Sequence, residues 1–260
     1  MRVTTDSKHY ENMAAKIREK TGTDATYKPS EMPSGVDAVY KAGMQAEHDK
    51  FWDAYMSRRD RPGDFEYAFS YYGWTDETFN PTCDIVPLKA RYMFISTRIL
   101  NLAEILERNG VVLDTSKVTD FTQMFNSARC VHIPTIDMSS ATITRYAFNS
   151  TPYLTKIDKL IVSEQTTFDL TFSSQTSLKD IVFEGVIGNS INLQGCPLSR
   201  ESITSTIEHL SSTVTGQTLT LNLSAVNTAF ETSSGAADGS TSAEFAALVA
   251  TKTNWTITMV

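Results

Sequence analysis

The sequence is short of several things, and each shortage excludes something. It has three cysteines in 260 residues, Cys83, Cys130 and Cys196, far apart and odd in number. No closed disulfide framework follows from such a set, and the three read as small buried hydrophobes. No run of about 18 apolar residues occurs, so no transmembrane helix and no membrane insertion are expected. The first ten residues, Met1 to Tyr10, are polar and lack the apolar centre of a signal peptide. Positive charge is also in deficit: 23 Lys and Arg face 30 Asp and Glu, a net charge of −7, with no long basic run. Phosphate backbones require clustered cations, so nucleic acid is not an expected partner. The four histidines, His9, His48, His132 and His209, are scattered. There is no Walker A loop, no HExxH, no GxSxG and no paired CxxC. Cys130 and His132 are two apart, which places them on one face of a strand, but no third group is in view to complete a metal site or activate the thiol. The chain therefore reads as non-enzymatic, with no metal and no cofactor.

What remains is the composition of a folded protein, 41% hydrophobic and 20% charged. Tyr10, Met13, Ala14 and Ile17 share one face of a predicted helix over 8–20, which Gly22 and Thr23 stop. Prolines 29 and 33 mark a turn. A second helix is predicted from Gly35 to Met56, with Val36, Tyr40, Met44, His48, Phe51 and Tyr55 spaced by fours and threes. That stripe suits packing within its own domain, a copy of the chain or another subunit. Aromatics then become dense. Phe65, Tyr67, Phe69 and Tyr71 alternate as along a strand with one buried face. Tyr72 and Trp74 fall on the opposite parity, where they are candidates for stacking on a sugar ring. NLAEILERN (101–109) predicts a helix with Asn101 and Glu104 as a capping-box-like start and Gly110 as its left-handed stop. VVLD (111–114) reads as a strand.

Beyond residue 110 the chain changes character. Residues 111–260 hold 8 of the 23 basic and 13 of the 30 acidic residues, and Ser and Thr become frequent. Such a surface suits β-rich structure with turns bonded by side chains. Within it the sequence repeats. DTSKVTDFTQMFNS (114–127) aligns with DMSSATITRYAFNS (137–150) at an offset of 23, so that Phe125 matches Phe148. A third copy ends in Thr171-Phe172-Ser-Ser at an offset of 24, and a worn fourth contains Leu193-Gln-Gly-Cys. Val131, Leu154 and Leu178 follow the three phenylalanines at a constant interval and open strand-like stretches. A repeat of this length is one coil of a solenoid. A single coil cannot bury its apolar face, whereas stacked coils share a core. Phe125, Phe148 and Phe172 are expected to pile up as an internal ladder. Leu178, Ile181 and Phe183 point inward, and Lys179, Asp180 and Val182 outward. The equivalent outward positions are His132 and the pair Lys156 and Asp158. His132, Lys156, Asp158, Lys179 and Asp180, with Tyr72 and Trp74, are the candidate ligand-binding residues. Asp114 and Asp137, at matching positions, read as Asx-turn formers.

At the C-terminal end Ser199 precedes a helical run carrying Ile203, Ile207 and Leu210. QTLTLNL (217–223) alternates as a strand. SAEFAALVATKTN (242–254) reads as a helix with Phe245, Leu248 and Val249 inward, WTITMV (255–260) alternates again, and ETSSGAADGSTS (231–242) reads as a loop. A β-α-β unit of this kind covers the open end of a solenoid.

LDTSKVTDFTQMF, ITRYAFNSTPYLTKI and SLKDIVF resemble BspA-type leucine-rich repeats, and the tail from PLSRESITSTIEHL onward resembles the closing segment common in such proteins. The N-terminal pieces, MAAKIREKTGTDATYKPSEMPSGV and AEHDKFWDAYM with YAFSYYGWTDETFNPTCDI, resemble sequences from phage and prophage genomes of gut Firmicutes, where they occur on tail-associated and uncharacterised proteins. The resemblance implies an α+β fold in four parts. Helices for attachment or oligomerisation occupy 1–59 and an aromatic-rich N-terminal cap region 60–110. A short irregular leucine-rich-repeat solenoid follows over 111–198, then a C-terminal β-α-β cap over 199–260. It implies a phage structural or host-recognition protein, tail-associated, assembled into a virion in the bacterial cytoplasm. The partners expected are a host surface glycan or protein, other virion subunits, and further copies of the chain joined through the N-terminal helices. The alternative is a prophage-encoded intracellular module that binds a host factor. A third reading is an enzyme such as a glycan hydrolase, which requires two carboxylates about 5–10 Å apart in a cleft.

Overall fold

Five phenylalanines set the axis of the molecule. Rings of Phe69, Phe94, Phe125, Phe148 and Phe172 follow one another at centroid separations of 5.1, 5.0, 5.6 and 5.5 Å. The last three steps are parallel stacks with interplanar angles of 2°, 12° and 18°. The spacing is close to that between hydrogen-bonded strands, as a stack of coils requires. In this computed structural model, which describes residues 63–71, 74–230 and 242–260, the chain winds as a β-solenoid of about four turns. All the described residues lie in one compact unit. The helices predicted for 8–20 and 35–56, Tyr72, and residues 231–241 of the predicted loop lie outside them.

The expected ladder of Phe125, Phe148 and Phe172 is present, and it begins earlier, at Phe69 and Phe94. Each ladder ring sits in a corner whose backbone repeats. The residue two before it and the residue two after it have positive φ: Tyr67 and Tyr71, Tyr92 and Ser96, Gln123 and Ser127, Tyr146 and Ser150, Leu170 and Ser174. A left-handed conformation costs a non-glycine residue about 1 kcal/mol or more, so something must compensate. Here the N–H groups divide the work. Those of Tyr92, Phe94 and Ser96 cross to the carbonyls of Thr122, Met124 and Asn126 on the next coil, at 2.8–3.0 Å. Those of Met93, Ile95 and Thr97 turn back to Ala90, Tyr92 and Phe94 at 3.1–3.2 Å. Every donor through the corner is thus satisfied.

This geometry corrects the strand predicted at 65–71. Phe65 and Phe69 are buried, Tyr67 and Tyr71 are half exposed, and both tyrosines have left-handed φ. The in–out alternation comes from a folded corner rather than from an extended strand. VVLD is likewise reduced to an isolated parallel bridge, Ile85 with Leu113.

The straight sides of the coils form a parallel sheet. Strands β1 (His132–Ile133) and β2 (Ile136–Asp137) lie on one coil and both pair with β3 (Lys156–Val162), which pairs with β4 (Asp180–Gly185). The register aligns His132 with Lys156 and Asp180, and Ile133 with Ile157 and Ile181. The isoleucines are buried and the polar column faces out. Between Ile157 and Leu160 the register of β3 against β4 shifts by one residue. The bulge leaves both Asp158 and Lys159 on the outer side. Leu178, Ile181 and Phe183 point inward and Lys179, Asp180 and Val182 outward, as predicted. Gly185 closes β4 with φ 91°, where a Cβ would lie 2.0 Å from the Val162 carbonyl oxygen. Only glycine fits so close an approach. Buried threonines bridge the coils: Thr115 Oγ1 donates to the Asp137 carbonyl and Thr166 Oγ1 to that of Met138, both at 3.0 Å.

The predicted helix at 101–109 is α1 (Leu102–Asn109), ended by Gly110 at φ 63°. Its start differs from the prediction. Asn101 makes no side-chain cap; its amide donates to Asp76 Oδ2 at 2.6 Å, and Glu104 is engaged elsewhere. A second parallel sheet follows the first, with β5 (Ile191–Leu193), β6 (Gln217–Leu221) and β7 (Trp255–Met259) in that order. Helix α2 (Arg200–Glu208), capped by Ser199, joins β5 to β6. Among the described residues two helices, not one, join β6 to β7: α3 (Leu223–Ala229) and α4 (Ala243–Ala250). The sequence reading missed α3 because it extended the strand to Leu223, whereas Asn222 accepts from the Ala225 N–H at 2.9 Å and starts a helix. On α4 only Phe245 is buried; Leu248 and Val249 are half-buried. Helix α2 lies along β4, where Ser202 and Ser205 accept from the N–H groups of Ile181 and Phe183 at 2.9 and 3.0 Å. The outer edge of the first sheet is thereby satisfied by side chains.

Candidate functional site

The outward column of the first sheet forms a site because two coils and one helix meet there. His132 enters from β1, Lys156 and Asp158 from β3, and Glu104 from α1. The His132 Nδ1 lies 2.7 Å from Glu104 Oε1, and its Nε2 lies 2.8 Å from Asp158 Oδ1. Lys156 Nζ is 2.7 Å from the same Asp158 oxygen. An ionised carboxylate only accepts, so both imidazole contacts are hydrogen bonds together when both ring nitrogens carry protons. His132 acts as a strut that ties α1 to the sheet. Burial works to raise the Asp158 carboxyl, but hydrogen bonds from Lys156 and His132, with their charges, outweigh it and hold the group below its ordinary value. The bond to Asp158 in turn raises Lys156 against a smaller opposing effect of burial.

A groove of about 820 Å³ runs beside this strut. Val86, Val112, Leu106 and Pro134 contribute apolar wall; Asp84, Glu107, Asp114 and Asp137 contribute carboxylates. Asp114 and Asp137 do form the predicted turns, accepting from the N–H groups of Ser116 and Ser139 at 3.0 and 2.8 Å. The bonds from Ser116 hold the Asp114 carboxyl below its ordinary value. Both residues also line the groove, a second role the repeat alone did not announce.

Of the predicted site residues, His132, Lys156 and Asp158 come together, with Asp180 next to Lys156 in register. Lys179 is exposed at the entry to β4 and makes no ion pair among the described residues. Trp74 is elsewhere, edge-on to the buried rings of Phe69 and Phe79 at 5.7 and 6.0 Å. Tyr72 is outside the described residues. Cys130 and His132 do not share a face: Cys130 is fully buried, which pushes its thiol far up, while His132 reaches outward to its carboxylates. Cys196, equally enclosed, is pushed up to about 12. No group of three or more His, Cys, Asp and Glu side chains among the described residues is placed to hold a metal ion. Sequence reasoning missed Glu104, Glu107, Asp84, Val86 and Val112. The available signal was Glu104 and Glu107 three apart on one helix face.

A second groove, of about 630 Å³, lies between Val162–Glu164 and Glu208–Thr213. Its chemistry is already committed within the chain. Glu164 Oε1 accepts from Ser211 and Thr213 at 2.5 and 2.6 Å, and Lys252 Nζ donates to the carbonyls of Glu208 and Leu210 at 2.9 and 2.5 Å.

Family models, curated proteins and solved structures were compared with this chain, and none matches it.

Proposed function

We propose that the chain is a non-enzymatic recognition protein of a bacteriophage particle. In this reading residues 1–59 attach it to other virion subunits or to copies of itself, the solenoid presents the His132 groove to a host surface, and residues 199–260 close the end of the stack. The observation that carries the recognition role is the groove itself. Asp84, Asp114 and Asp137 each accept from a backbone N–H and Asp158 is tied by the His132 strut, so these side chains are held before a ligand arrives and lose less entropy on binding. The phage context rests on the resemblance of the N-terminal segments. Many weak contacts per copy suit a particle that displays several copies.

The test is labelling of intact host cells by the fluorescent full-length chain. Binding is expected, and Val112→Arg, which fills the groove, is expected to reduce it about tenfold or more. Labelling untouched by Val112→Arg would remove the groove from the account. Absence of labelling together with a stoichiometric cytosolic partner would replace the virion role with that of a free intracellular module.

A further inference from the structure

The make-up of the His132 groove selects among the partners that a recognition surface can take. Four of its carboxylates, Asp84, Glu107, Asp114 and Asp137, make no ion pair among the described residues. Three of them are held by a backbone N–H that binds one oxygen: Val112 to Asp84, Ser116 to Asp114 and Ser139 to Asp137. The second oxygens of Asp84 and Asp137 have no protein donor among the described residues, while Asp114 also accepts from the Ser116 side chain. The lysine of the lining, Lys156, is occupied by Asp158. Beside these charges stand two valines that a solvated surface gains nothing by showing, Val86 at 39% and Val112 at 58% exposure. No Phe, Tyr or Trp lines the groove among the described residues, so the broad stacking platform that sugar rings favour is missing. A polyanion meets uncompensated repulsion.

We propose that this groove binds an extended peptide segment that carries lysine or arginine next to aliphatic side chains. The proposal rests on the recognition role above and names the partner of that same site. Aliphatic side chains of the peptide cover Val86 and Val112, and its cations reach the four carboxylates. Asp114 and Asp137 recur on successive coils, so a chain running along the solenoid meets a carboxylate at each step. In an extended segment alternate side chains point to opposite sides, which separates a basic row from an apolar one.

The full-length chain is titrated against two labelled hexapeptides, alternating lysine with valine and alternating glutamate with valine, and fluorescence anisotropy is read. The lysine peptide alone is expected to bind, and about a tenfold rise in salt is expected to weaken it about tenfold or more. Glu107→Gln with Asp114→Asn, which keeps the turn acceptor at 114, is expected to weaken it about tenfold, while Glu201→Gln on α2 leaves it unchanged. Equal uptake of both peptides, no binding of either, or indifference to the double substitution overturns the proposal. If cells are labelled and Val112→Arg abolishes that labelling while the lysine peptide fails to bind, the groove keeps its recognition role and only the cationic-peptide assignment falls.

Discussion

Asp158 carries more of the site than any other side chain, since one of its oxygens serves both His132 and Lys156. Its carboxyl is depressed in the folded chain, so the stabilisation it gives is present above the unfolded aspartate value of about 3.9 and is lost as pH falls through the lower folded value. Asp158→Asn is therefore expected to lower the urea midpoint at about pH 6, and the gap to the parent is expected to close towards pH 3. A gap that widens in acid contradicts the assignment. The residue-level pairing was only half legible. Lys156 and Asp158 are two apart in a strand and announced themselves together. Glu104 lies 28 residues from His132, and their meeting depends on how α1 packs beside the coil, which no local pattern encodes. The capping rule that claimed Glu104 for Asn101 is a local preference, and the longer-range hydrogen bond with His132 prevailed over it.

At the scale of the element, the solenoid corner has two ladders. The inner one is the phenylalanine stack. The outer one occupies the left-handed positions, where Tyr67 stacks on Tyr92 at 4.6 Å and 11°, and Arg91 and Arg145 lie over Tyr92 and Tyr146 at 5.3 and 5.1 Å. Burial ranks them. Phe148 is fully buried between two rings, and Phe148→Ala is expected to cost about 3–5 kcal/mol. Tyr67 is half exposed, and Tyr67→Ala is expected to cost about 1 kcal/mol, the worth of an aromatic pair. Urea denaturation of the two variants measures the difference; equal losses would mean that the inner stack does not organise the coil. Periodicity explains what was legible here. Intervals of 23 and 24 residues made Phe125, Phe148 and Phe172 visible as a set. The interval from Phe94 to Phe125 is 31 because α1 is inserted in that coil, and the break hid Phe94 and Phe69. The strand misreading at 65–71 has a different cause: alternation of aromatic residues is shared by extended strands and by corners of alternating handedness, and only the hydrogen-bond partners separate the two.

For the whole molecule, the stack behaves as a chain of nearest neighbours, each coil stabilised by the one on either side. The groove belongs to particular coils, while the core belongs to all of them. Stability and recognition are therefore separable by removing one repeat. Excising residues 126–148 joins Phe125 to Asn149 and leaves the next ladder phenylalanine, Phe172, at the spacing of an ordinary coil. The excision takes away His132, Pro134 and Asp137 but no capping element. The shortened chain is expected to fold cooperatively with a smaller urea m-value, because less surface is exposed on unfolding, and to lose host-cell labelling and lysine-peptide binding together. Circular dichroism during urea titration reads the first outcome and anisotropy the second. A shortened chain that folds and still binds would place recognition on coils other than the one carrying β1 and β2. One that fails to fold would show that the coils are not interchangeable neighbours, and the reading of the 23-residue offset as a structural unit would have to be withdrawn.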